Sequence, residues 1–144
     1  MSNKIMVLAC ACALLLPLST ACTSQPNTFV KVINTDWTTM PLREGLTGDQ
    51  AWRRATDVIA RKFELEMTDR DAQYTRSSWK YTIPVSGKEA KWYRTRVLFM
   101  VQSDQSVFRL KVEAQFGGEG KWINGYDTNV LENMKQDINA IIGL

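Results

Sequence analysis

The sequence predicts an α+β fold, a two-layer sandwich in which a four-stranded antiparallel meander carries two helices on one face (helix-strand-strand-strand-strand-helix). Three observations point there. Apolar residues recur with the helical period after residue 47 and again near the C-terminus, with period-two stretches between them. The period-two stretches agree with one another in register. Four strands spaced by about 4.8 Å span roughly 19 Å, the width that two helices about 10 Å across cover, so both helices belong on one face.

The first helix opens at "TGDQ", residues 47–50. Thr47 with Gln50 three residues later forms a capping box, and Asp49 places a negative charge in the first turn. Trp52, Ala55, Ile59 and Phe63 then share one helical face, opposite Arg53, Arg54, Asp57 and Arg61. That spacing makes Trp52 a core anchor rather than a ligand platform.

The period then falls to two. "FELEM" sets Phe63, Leu65 and Met67 on one side, and "QYTRSSWKYTI" sets Thr75, Ser77, Trp79, Tyr81 and Ile83 together. "WYRTRVLFMVQ" aligns Tyr93, Thr95, Val97, Phe99 and Val101; "VFRLKVEAQF" aligns Phe108, Leu110, Val112, Ala114 and Phe116. A hairpin loop at "SDQS", residues 103–106, brings Val101 opposite Phe108, Phe99 opposite Leu110, Val97 opposite Val112 and Tyr93 opposite Phe116. The other face pairs Met100 with Arg109, Leu98 with Lys111 and Arg96 with Glu113. A one-residue slip would destroy both sets. A loop at "DRDAQ", residues 69–73, likewise sets Met67 against Thr75, Phe63 against Trp79 and Glu66 against Arg76.

"FGGEGKWINGYD", residues 116–127, reads as a glycine-rich connection. Asp127 is a fitting N-cap for the last helix, with Tyr126 and Leu131 placed to form a hydrophobic staple. Leu131, Met134, Ile138 and Ile141 make that helix's apolar face, and Gly143 lies past its end.

Ahead of this domain stands a secretory signal. Lys4 is the one charge before the apolar run "IMVLACACALLLPL", which is too short for a membrane span of about 20 residues. Ser19-Thr20-Ala21-Cys22 resembles the lipobox of bacterial lipoproteins, which implies cleavage before Cys22 and acylation of that cysteine. "TSQPN" follows as a polar tether, and no cysteine occurs after Cys22. Thr23, rather than Asp, next to the cysteine resembles the enteric pattern of an outer-membrane passenger. The expected organisation is a signal peptide over 1–21, a lipidated cysteine with a tether or extended segment over 22–46, and a periplasmic domain over 47–144. "TFVKVINTDW" has strand character and is expected to pack on the domain.

With Cys10 and Cys12 lost in the leader and no histidine in the chain, thiol catalysis, a disulfide framework and the commonest zinc ligands are absent. No cofactor or metal is expected. Losing residues 1–21 removes Lys4 alone, so the formal charge of +3 falls to +2, too mild to imply nucleic acid. "GGEGKW" lacks the Ser or Thr and the strand-to-helix turn of a phosphate loop. Asp69 and Asp71 in "TDRDAQ" read as a turn rather than a calcium loop, which supplies 6–8 oxygens.

"AWRRATDVIARKFELEMTDRDAQY", residues 51–74, resembles the Ala-Trp helix, strand and Asp-containing turn of the helix-grip domains found in a lipoprotein component of the bacterial β-barrel assembly machine. The resemblance implies a non-enzymatic envelope lipoprotein that binds other proteins. The expected partner surface is the sheet's helix-free face: Arg76, Lys80, Arg94, Arg96, Arg109 and Lys111 against Glu64, Glu66 and Glu113, with Trp92, Leu98, Met100 and Val107 as its apolar part. A scaffolding module in envelope assembly or maintenance is the leading expectation. A module for anionic lipid, lipopolysaccharide or peptidoglycan is the alternative, and a carboxylate-based hydrolase is third. Trp37 and the "GGEGKWINGY" loop with Trp122 are the next location should that face be merely solvated.

Overall fold

The computed structural model describes residues 24–81, 83, 87–118 and 120–144. The expected signal peptide over 1–21 and lipidation site at Cys22 lie outside them, as does Thr23. Helices α1 (Gly48–Ala60) and α2 (Thr128–Ile142) pack on one face of a seven-stranded antiparallel sheet. The strands are β1 (Phe29–Lys31), β2 (Thr38–Pro41), β3 (Leu65–Asp69), β4 (Tyr74–Ser77), β5 (Tyr93–Val101), β6 (Val107–Gly118) and β7 (Lys121–Asp127). Their order across the sheet is β1-β7-β6-β5-β4-β3, and β2 also pairs with β6.

The α+β class stands, but the four-stranded meander is corrected to seven strands. Two segments account for the difference. The glycine-rich stretch is a β6–β7 hairpin rather than a connection, and the N-terminal segment adds β1 and β2. Glycine makes both additions sterically feasible. Gly117, at φ 134°, has no room for a side chain, because a Cβ there would stand 2.2 Å from the Lys121 carbonyl oxygen across the hairpin. A Cβ on Gly125 would stand 2.2 Å from the Val30 carbonyl oxygen, so glycine there lets β1 dock on β7.

The β5–β6 register follows the sequence pattern pair for pair, from Tyr93↔Phe116 to Val101↔Phe108. At β3–β4 the pattern slips. The turn is one residue tighter than expected: Asp69 pairs with Tyr74, and the Asp69 carboxylate accepts the Ala72 N–H at 2.9 Å. Met67 therefore faces Arg76 rather than Thr75 and lies 44% exposed. A bulge at Glu66 restores the offset at Leu65↔Ser77.

A second shift lies between β4 and β5. Arg76 pairs with Leu98, but Lys80 bridges to Thr95, one residue out of step. Ser77 fills the irregularity by accepting the Val97 N–H through Oγ at 2.9 Å. Past this point side chains exchange faces. Trp79, expected in the core, turns to the helix-free face, and Lys80, expected there, turns to the helix side.

The main core joins Ala55, Ile59 and Phe63 of the α1 region to Met134, Ile138 and Ile142 of α2 and to Val97, Phe99, Phe108, Leu110 and Val112 of the sheet. Both halves of the predicted capping box form, each at 3.2 Å. Trp52 donates through Nε1 to the buried Thr75 hydroxyl at 2.9 Å. A smaller cluster beyond the helices holds Phe29, Tyr93, Ala114, Trp92 and Phe116. There Asp127 is fully buried. It caps α2 by accepting the Val130 N–H at 2.9 Å and takes hydrogen bonds from the Thr28 hydroxyl at 2.6 Å and the Tyr93 hydroxyl. Burial first, and then the neighbouring carboxylate, push the Tyr93 pKa far above its ordinary value.

Candidate functional site

Neither helix covers the face of the sheet formed by the alternate residues of β5, β6 and β7. Its centre is Arg94. The guanidinium carbon lies 4.2 Å from the Trp122 ring centroid, 4.7 Å from Trp79 and 5.6 Å from Tyr81. Its N–H groups donate to the Tyr81 hydroxyl at 2.7 Å and to Gln115 Oε1 at 2.8 Å. Gln115 in turn donates to Asn124 Oδ1 at 2.9 Å, tying β6 to β7. Arginine suits this position, since its cation is drawn to the three rings while its forked N–H groups still reach their acceptors.

One step along the face, Arg96 lies 4.4 Å from the Trp79 ring and reaches Glu113 Oε2 through Nε at 2.7 Å and Nη2 at 2.6 Å. Lys111 holds the other oxygen, Oε1, at 3.0 Å and stands 5.9 Å from the Trp37 ring. Partial burial raises the Glu113 pKa, but Lys111 and Arg96 together outweigh it, leaving the carboxyl below its ordinary range. The result is a continuous band running Trp37, Lys111, Glu113, Arg96, Trp79, Arg94, Trp122, with the carboxylate between Lys111 and Arg96 and an aromatic ring at each of the other steps.

A groove of about 210 Å³ opens along this band. Its origin is topological. β2 pairs with β6 as far as Leu110, and β7 takes up the same edge only from Ala114, so the Lys111–Glu113 stretch, paired with β5 on one side, has no strand on the other among the described residues. Residues 33–35 arch over the gap, held by the Thr35 hydroxyl donating to the Gly125 carbonyl at 3.2 Å.

The expected surface residues divide. Arg94, Arg96 and Lys111 form the band just described. Leu98 and Met100 stand on the same face, opposite Lys111 and Arg109, and Leu98 is 7% exposed there. Arg76 lies toward the β3 edge, paired with Glu66 at 3.1 Å. Arg109 stands opposite Thr39 of β2, its Nε buried without a hydrogen-bond partner among the described residues.

Two expected members stand elsewhere. Lys80 reaches the helix side, donating to the Lys62 carbonyl at 2.8 Å and lying 5.3 Å from the Phe63 ring. Trp92 packs edge-on against Phe116 at 5.7 Å in the smaller cluster. It precedes β5 in a turn closed by the Tyr93 N–H to the Ala90 carbonyl, where strand alternation does not apply. Sequence reasoning missed Trp79 and Tyr81, both grouped with the core-facing side chains, whose positions follow the β4–β5 shift. Trp37 and Trp122, read as a separate location, belong to the same band.

Compared with known proteins, the chain matches no family model and no curated protein.

Proposed function

We propose that this chain is a periplasm-facing outer-membrane lipoprotein, acylated at Cys22, whose helix-free sheet face is a non-catalytic docking site for an envelope protein. The observation that carries the reading is the state of the cations on that face. Arg94 is enclosed by three aromatic rings, and Arg96 and Lys111 share Glu113. The N–H donors of these cations are largely taken by Tyr81, Gln115 and Glu113, which leaves few hydrogen bonds to grip a phosphate, although three cations against one carboxylate keep the face positive. A flat array of tryptophan and arginine around a small groove has instead the composition of protein-interface hot spots. The likeness of residues 51–74 to a protein-binding envelope lipoprotein and the lipobox-like "STAC" point the same way. An anionic lipid or glycan is the second reading, supported by the three cations lining one face.

Photocrosslinking in living cells tests the choice. A benzophenone amino acid at Lys111 or Asn124 should trap a defined protein, while the same group at Asp57 or Asn133, exposed on the helices, should not. Arg94→Glu should abolish the adduct. Recovery of lipid or glycan alone transfers the site to the second reading, and equal labelling at all four positions rejects both. The anchor is tested separately: Cys22→Ser should release the chain to the soluble fraction.

A further inference from the structure

The distribution of exposed apolar side chains is uneven, and it coincides with where the chain enters the fold. Five large hydrophobic residues stand exposed among the described residues, and three of them, Val30 at 36%, Ile33 at 90% and Ile123 at 38%, sit on β1, on β7 or just past β1. Beyond the last main-chain bond there, Val32 N–H to Asn124 C=O at 3.2 Å, the outer side of β7 at Trp122–Ile123, away from β6, carries no strand partner among the described residues. Lys31 and Lys121 are exposed beside this edge.

The entry of the chain is fastened early. Gln25 donates from its side chain to the Phe29 carbonyl at 3.3 Å, and the Phe29 N–H returns to the Pro26 carbonyl at 3.0 Å. The Thr28 hydroxyl is held by Asp127. Only three residue steps separate Gln25 from Cys22, a reach of at most about 11 Å in a fully extended chain. A lipid on Cys22 therefore cannot stand far from β1.

From these two facts we infer that the β1–β7 edge is a membrane-contact surface, which lies on the anionic bilayer that the acyl chains enter and stands the sheet upright on it. This rests on the lipoprotein reading above. Ile33 and Ile123 enter the headgroup region, where a half-buried tryptophan such as Trp122 is well placed, and Lys31 and Lys121 meet the headgroup phosphates. The acyl anchor and the Ile33 end are two separated points of attachment. Together they fix the domain's orientation, which one flexible tether would leave free. The groove then opens sideways, close to headgroup level.

The test uses the full chain, produced in a bacterium that acylates lipoproteins and reconstituted into vesicles of phosphatidylethanolamine and phosphatidylglycerol. An environment-sensitive fluorophore is attached at Asn34→Cys, next to Ile33, or at Met67→Cys, on the edge strand at the other side of the sheet. The probe at 34 should shift to the blue and be quenched by brominated acyl chains severalfold more than the probe at 67. Ile33→Asp in the Asn34→Cys background should bring its quenching down to the level seen at 67. Equal quenching at both sites, or stronger quenching at 67, overturns the inference. A protein that stays in the bilayer while its residue-34 probe remains in water overturns this inference alone. A protein that does not enter the bilayer at all overturns the lipoprotein reading with it.

Discussion

On one face of β5 and β6, Val97, Phe99, Val101, Phe108, Leu110 and Val112 lie under the helices. On the other, Arg94, Arg96, Lys111 and Glu113 stand among tryptophan rings. Both sets come from the same two strands, one residue apart. The covered face gains its stability from apolar area removed from water, a non-directional term that tolerates change in shape better than change in volume. The open face depends on directed contacts: a guanidinium donating to Tyr81 and Gln115, or a carboxylate between two cations. Damage to the first should appear mainly as lost stability, and damage to the second mainly as lost recognition.

The largest effect is expected in the core. Phe99→Ala, which removes a fully buried ring 5.8 Å from Phe108 in the main core, should cost about 3–5 kcal/mol, a large part of the 5–15 kcal/mol typical of a whole domain. Urea unfolding checks it. A cost below that of the open-face variants would erase the contrast between the two faces.

Next comes the polar exception on the covered side. Asp127→Ala removes a helix cap and strands the Tyr93 hydroxyl, with an expected cost of about 2–4 kcal/mol. Asn at this position should recover the capping part. Hydrogen exchange at Phe29–Lys31 should accelerate in the alanine variant, because the Thr28 hydrogen bond to Asp127 is lost as well.

On the open face, Glu113→Gln should cost about 1–2 kcal/mol near neutral pH, its two cations losing their shared partner. The pH dependence has a definite sign. Folding holds the Glu113 pKa below its ordinary value, so its contribution is full above the ordinary carboxylate range and disappears as pH falls through the lowered value. The difference in urea midpoint between wild type and Glu113→Gln should therefore shrink between about pH 7 and pH 3. A difference that stays constant over that range breaks the account.

The smallest effect on stability belongs to Arg94→Lys. It keeps the charge and loses the forked guanidinium set among the rings, which should cost less than about 1 kcal/mol while changing tryptophan fluorescence and abolishing the crosslink from Asn124. A stability loss comparable to Phe99→Ala would make Arg94 a structural element rather than a docking one.

Local pattern carried much of this molecule. Thr47 and Gln50 could be read as a capping box and Asp127 as a cap because capping involves residues three apart in the chain. The β5–β6 register was legible because the two strands are adjacent, long and strictly alternating, so that one offset satisfies every pair. Arg94, Arg96 and Lys111 could be placed on one face for the same reason.

Other features depended on contacts distant in sequence. Strands β1 and β2, three and four residues long, are too short to declare a period, and they become strands by pairing with β7 and β6 about 70 to 100 residues later in the chain. The pattern of β7, "KWINGYD", is interrupted by the glycine that lets β1 approach. Trp79 and Lys80 could not be assigned to faces, because a single extra residue between Arg76 and Lys80 reverses both, and nothing local announces it. The sequence by itself thus determined the two helices, their caps and the central hairpin, where the deciding interactions span a few residues. Only the tertiary structure decided the number of strands and the gathering of Trp79 and Trp122 around the arginines and of Trp37 beside Lys111, because those depend on which distant segments share a sheet edge.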